Sequence, residues 1–105
     1  MDNHYNHFKK IDAHSHIGKF GSPFNIDFDL QRLTEQMEAY NIEKTILCPA
    51  GCHLNEELKT AYQAAPDKII PLCWVNANEG QEAYDMLEHY LRDENFAGVK
   101  MQPLF

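Results

Sequence analysis

Apolar residues along the chain follow two alternating rhythms. KKIDAHSHI at 9–17 is strand-like and leads into a Gly-, Pro- and Asn-containing loop, GKFGSPFN. Leu30, Leu33, Met37 and Tyr40 then recur at helical spacing, with Asp27 or Asp29 placed to cap the helix. Asn41 stands where that helix would stop, because asparagine tolerates the left-handed conformation. KTILCPA at 44–50 is a second strand candidate. Asn55 can cap a second helix, with Glu56 and Glu57 in its first turn and Leu58, Ala61, Tyr62 and Ala65 on one face; Pro66 ends it. IIPLCWVNA at 69–77 reads as a third strand. Gly80 to Arg92 forms a third helix with Ala83, Leu87, Tyr90 and Leu91 as its buried stripe, and FAGVKMQP at 96–103 is a fourth short strand. Strands apolar on both faces, each followed by a helix, predict a parallel βαβαβαβ sheet built from right-handed crossovers. The fold class is α/β.

Length and charge narrow the picture. A chain of 105 residues allows one domain with a core of modest size. Nine Lys+Arg against 16 Asp+Glu give a net charge of -7, so the basic footprint of a nucleic-acid partner is absent. No apolar run approaches the roughly 20 residues that span a bilayer; the longest, IIPLCWV, is broken by Pro71. The polar start, MDNHYNHFKK, lacks the apolar segment of a secretory signal. Three cysteines, two of them (Cys48 and Cys73) in strand-like runs, suit reduced thiols better than a disulfide framework. A cytoplasmic protein is the expectation, with neither nucleic acid nor membrane as partner.

The chemistry concentrates in IDAHSHIG at 11–18. Side chains alternate across a strand, so Asp12, His14 and His16 share one face. The two histidines stand about 7 Å apart along a strand, and converging rotamers can bring both rings to one cation. In parallel α/β folds ligands gather at the carboxyl ends of strands, where Gly18 and its loop place this pair. The alternative is a pair of imidazoles satisfied by backbone or carboxylate with no metal. Elsewhere, Cys48, Cys52 and His53 in CPAGCH could add a ligand, or Cys48 is a buried strand thiol. His4 and His7 read as exposed tail residues, and His89 lies on a solvated helix face. Phe20, Phe24 and Trp74 could line an apolar pocket or pack a core.

IDAHSHIG, the helix pattern of 29–40, APDKIIPLCWVNAN at 65–78 and FAGVKMQP at 96–103 occur in the order found in the N-terminal part of the amidohydrolase superfamily. The chain resembles its branch of amidohydrolase-related metal-dependent hydrolases and decarboxylases. The resemblance implies the first half of a TIM (β/α)8 barrel, strands one to four. It implies His14 and His16 as first-strand ligands of a divalent metal, zinc or alternatively manganese. Lys100 matches the lysine of the family's G-x-K segment, a polar wall residue at the active-site end of the fourth strand and the candidate catalytic side chain. Gly98, Lys100 and Gln102 share that strand face; many relatives carry histidine where this chain has Gln102. The implied chemistry, on a small-molecule substrate, is metal-activated water attacking an amide, ester or lactone carbon, or metal-assisted decarboxylation of an aromatic or enoic acid.

A catalytic zinc takes three protein ligands, and a full barrel of this type takes about 250 residues. By the resemblance, the remaining ligands are histidines of the fifth and sixth strands and an aspartate of the eighth. Three readings follow. The chain is an N-terminal portion of a longer enzyme; or two copies close a barrel as a homodimer; or it is a non-catalytic half-barrel scaffold.

Overall fold

The computed structural model describes residues 7–20, 26–50 and 54–101. Six strands and three α-helices succeed one another: β1 (Lys10–Ser15), β2 (Gly18–Phe20), β3 (Ile26–Phe28), α1 (Leu30–Ala39), β4 (Ile42–Leu47), α2 (Asn55–Ala64), β5 (Ile69–Trp74), α3 (Gln81–Glu88) and β6 (Gly98–Lys100). A 3-10 turn at Ala77–Glu79 precedes α3, and a π turn at His89–Asp93 extends it. The main sheet runs β1-β4-β5-β6, with all three pairings parallel. Strands therefore lie side by side in chain order with no reversal. That singly wound arrangement, with one helical crossover per pair, curls toward a TIM barrel and gives its first four strands.

The predicted α/β order holds, with one addition. The segment after the first strand contains a small antiparallel ladder, β2 against β3, pairing Gly18 with Phe28 and Phe20 with Ile26. Gly18 enters it at φ 129°, a backbone region that suits glycine.

Burial alternates along the central strands. Thr45 and Leu47 on β4, and Ile69 and Cys73 on β5, are buried toward the helices. Ile46, Ile70 and Leu72, one residue out of phase, remain half-buried on the opposite face. Leu33 and Met37 of α1, Leu58 and Ala61 of α2, and Ala83 of α3 fill the helix side together with Tyr90 and Phe96. Asp29 caps α1, its carboxylate accepting from the Arg32 N–H at 2.9 Å, and Asn41 leaves the helix at φ 56°.

Two details depart from the helical pattern. Asn55 is not a cap: it is the first residue of α2 and is buried, and Leu54 holds the cap position without a side-chain bond. The Asn55 amide instead bonds both backbone groups of Trp74, donating to its C=O at 2.9 Å and accepting from its N–H at 2.7 Å. A carboxamide carries the same donor and acceptor as a peptide group, so it substitutes for a neighbouring strand at the end of β5. Leu91, expected in the buried stripe of the third helix, is 38% exposed. The π turn, closed by Glu94 N–H donating to His89 C=O, inserts a residue, and Tyr90 turns inward while Leu91 turns out.

Candidate metal centre

The end of β1 is fixed to β4 through Ser15 and Cys48. The Ser15 and Thr45 hydroxyls lie 2.5 Å apart, and Ser15 Oγ also donates to the Ile46 C=O at 3.3 Å. Cys48 N–H donates to the Ser15 C=O at 2.8 Å. Between these anchors the register slips: Asp12 pairs with Thr45 and Ser15 with Leu47, so three residues of β1 advance against two of β4. Such a bulge re-aims the side chains around it, and it interrupts the simple alternation expected for Asp12, His14 and His16.

The two rings nonetheless converge. His14 Nε2 and His16 Nε2 are 2.8 Å apart, with the ring planes at 67°. His16 Nδ1 lies 2.6 Å from the Cys48 carbonyl oxygen. A carbonyl only accepts, so Nδ1 carries the proton and the lone pair of neutral His16 sits on Nε2. Two nitrogens at 2.0–2.1 Å from one ion stand about 2.9 Å apart at a right angle and about 3.3 Å at the tetrahedral angle. At 2.8 Å the two rings are hydrogen-bonded to each other, His14 Nε2 donating to the His16 lone pair, a spacing just under that of two ligands sharing one cation. The His16–carbonyl bond is the type of outer contact that orients metal-bound imidazoles. Asp12 supports the pair from the backbone side, its Oδ1 accepting from the His14 N–H at 3.0 Å.

Two donors are what the described residues bring together; no group of three or more His, Cys, Asp or Glu converges among them. Cys48 contributes its peptide group to the centre, while its thiol is buried and donates weakly to Ile46 C=O at 4.0 Å. Burial pushes that thiol above its ordinary pKa, with Lys100 pulling it down and Asp12 pushing it up. A thiol held protonated is a poor ligand and nucleophile. Cys52 and His53 lie outside the described residues, as do His4, Phe24 and Gln102. His7 is exposed, and His89 faces Asp93 at 3.5 Å and Glu94 at 3.6 Å on the surface.

Lys100 ends β6 and pairs with Trp74 of β5. The same pairing sets Gly98 beside Leu72, whose Cδ2 lies 3.2 Å from where a Gly98 Cβ would stand. Lys100 and Trp74 thus occupy the half-buried face of the sheet, two strands beyond β4, and the Cys48 thiol between them and β1 feels the lysine charge. A groove of about 380 Å³ opens directly after His16, lined by Ile17, Gly18, Phe28, Leu30, Glu57 and Ala61 among others. Trp74 lies elsewhere, packed at the end of β5 with 7% exposure. The Cys48 carbonyl and the Asn55 amide were not foreseeable from residue type: one acts through the backbone, and the other reads equally well as a cap.

No helix of the described residues is long and apolar enough to cross a membrane. No protein-family model and no curated protein sequence matches the chain. Solved structures do resemble it. The 5-carboxyvanillate decarboxylase of Novosphingobium aromaticivorans, complexed with manganese and 4-hydroxy-3-methoxy-5-nitrobenzoic acid, superposes with a TM-score of 0.79 at 16% identity, over 97% of this chain and 45% of that one. A 2,6-dihydroxybenzoate decarboxylase bound to 2,6-dihydroxybenzoate superposes with a TM-score of 0.69 at 17% identity, over 87% of this chain and 38% of that one. The Rhizobium 2,6-dihydroxybenzoate decarboxylase gives 0.63 at 18% identity, over 87% of this chain and 36% of that one. The chain therefore spans less than half the length of these neighbours, and what it shares with these decarboxylases is the fold of the first half of a TIM barrel.

Proposed function

We propose that this chain is the metal-holding half of a metal-dependent decarboxylase acting on an aromatic carboxylic acid. One observation carries the reading: the Nε2 atoms of His14 and His16 come within 2.8 Å of each other, and the Cys48 carbonyl leaves the His16 lone pair on Nε2, the atom a cation would take. His14 and His16 would hold a divalent ion, manganese or zinc, and Asp12 and Cys48 would orient them. When bound, such an ion supplies Lewis-acid polarisation of a substrate oxygen.

The rest of the wall fits an aromatic acid. Lys100, at the end of β6, offers a positive charge to a carboxylate. Decarboxylation is preferred over hydrolysis because the neighbours that share the fold are decarboxylases of hydroxylated aromatic acids.

Equilibrium dialysis of the purified chain against manganese and zinc tests the centre, with CO2 release from hydroxybenzoates testing the reaction. Wild type is expected to bind metal stoichiometrically, and His14→Ala or His16→Ala to lose it. Absence of binding in wild type, or retention in both variants, would refute the centre. Metal binding without CO2 release from any hydroxybenzoate would refute the reaction and keep the centre.

A further inference from the structure

Thr45 stands on the helix side of β4 with no exposed surface. Valine has nearly the same shape and would leave no hydroxyl to satisfy there, so packing alone does not call for threonine. What the hydroxyl meets is Ser15 Oγ of β1, 2.5 Å away. Ser15 Oγ in turn donates to the Ile46 C=O at 3.3 Å. A hydroxyl carries one proton, so with that of Ser15 directed to the carbonyl, the proton between the two oxygens belongs to Thr45. The bonds therefore run in one direction, from Thr45 through Ser15 to the backbone of Ile46.

The bulge of β1 opens where Asp12 faces Thr45 and closes where Ser15 faces Leu47. Ser15 thus reaches back across the bulge to the β4 residue at which it begins. Its carbonyl is held as well, by the Cys48 N–H at 2.8 Å, and the carbonyl of that same Cys48 takes the His16 Nδ1 proton at 2.6 Å. Ser15 lies between His14 and His16 in the chain. Fixing its side chain against Thr45, on the helix side, directs both neighbours to the opposite face. Without that tie, three residues of β1 could settle against two of β4 in other ways, and the 2.8 Å approach of the two Nε2 atoms would be one arrangement among several. We infer that the Ser15–Thr45 hydroxyl pair is the positioning device of the metal centre. It locks the bulge so that the two imidazoles meet and His16 keeps its bond to Cys48, without itself touching the cation. For its effect on metal binding this rests on the function proposed above, whereas the ring geometry it sets belongs to the metal-free chain. Partners bonded directly to a ligating imidazole change metal affinity by about 10–100-fold, and this pair stands one link further back, which sets the expectation at about tenfold.

The test compares wild type with Ser15→Ala, Thr45→Val and Thr45→Ser in the full chain. Equilibrium dialysis gives the manganese and zinc affinities, and ring-nitrogen NMR signals of the metal-free chain give the His16 tautomer. Ser15→Ala and Thr45→Val should each raise the metal Kd about tenfold and draw His16 away from its Nδ1-protonated form. Thr45→Ser keeps the hydroxyl and should stay within about twofold of wild type. The losses should not add when Ser15→Ala and Thr45→Val are combined, since they remove two ends of one bond. A role confined to stability would lower Tm while leaving Kd and tautomer at wild-type values; that result overturns the inference and keeps the proposed function. Thr45→Ser binding as weakly as Thr45→Val also overturns it, because keeping the hydroxyl would then rescue nothing. Where Thr45→Val fails to fold, Ser15→Ala decides alone, since it removes a single oxygen from a half-buried side chain. A wild-type chain that binds no metal sinks the proposed function, and the metal-free tautomer then decides the positioning role: displaced in Ser15→Ala it stands, unmoved it falls.

Discussion

Asn55→Ala is the sharpest test of how the end of β5 is held. Asn55 is 1% exposed, and its amide makes two short bonds to the Trp74 backbone and a weaker contact to the Met86 sulfur at 3.5 Å. Each backbone bond contributes about 0.5–1.5 kcal/mol net when made, and the loss is larger when a buried partner group is stranded. The truncation also leaves a small void that the α2–β5 interface cannot fill without moving Leu58 or Met86. Together these predict a loss of about 2–4 kcal/mol, which for a chain of this size is a fall in Tm of roughly 10–20 °C. Asn55→Asp separates the bonding from the packing. It keeps an acceptor for the Trp74 N–H but sets a carboxylate oxygen against the Trp74 C=O, so it should be at least as damaging despite its equal size. Urea unfolding at neutral pH, followed by circular dichroism, measures both. A change below about 0.5 kcal/mol in Asn55→Ala would refute the clamp, since surface substitutions fall in that range.

Other substitutions probe separate parts of the structure. Tyr90 OH donates to Glu56 Oε2 at 2.8 Å, and that bond, followed by Lys59, holds the Glu56 carboxyl below its ordinary value of 4.5. A carboxylate with a lowered folded-state pKa stabilises the fold above the ordinary value and loses that contribution as pH falls through the lowered one. Tyr90→Phe should therefore cost up to about 1 kcal/mol at neutral pH, with the difference from wild type vanishing in acid; an equal difference at pH 7 and below pH 3 in urea titrations would contradict this. The same bond and burial push the Tyr90 phenol above its usual range, so its contribution persists until strongly alkaline pH. Gly80 adopts φ 60°, ψ -118°, with open space where a Cβ would lie, so Gly80→Ala should cost about 1–3 kcal/mol from backbone strain alone, read as a lower Tm. Lys100→Met should weaken capture of an aromatic carboxylate by about 10–100-fold, seen as a higher KM or Kd, while leaving metal content unchanged; a matching loss of metal would place the lysine at the cation instead.

Periodicity alone determined much of this protein. Leu33 and Met37 on α1, Leu58 and Ala61 on α2, and the apolar runs of β4 and β5 are local patterns that bury the same faces in any parallel α/β arrangement. Asn41 at positive φ was equally legible, and the cap of α1 was narrowed to Asp27 or Asp29, of which the structure uses Asp29, because each acts on its own backbone. His14 and His16 could be named from spacing and context, but their convergence could not. It depends on a bulge in β1 and on the Cys48 carbonyl, delivered from β4 by tertiary pairing. Asn55 shows the same limit, since its amide reads as a cap in the sequence and becomes a clamp only when β5 ends beside α2. The outward turn of Leu91 follows from a π turn that helical spacing does not anticipate. Local chemistry fixes which residues form each element, whereas contacts between elements distant in the chain decide how the imidazoles are oriented and where the Asn55 amide bonds.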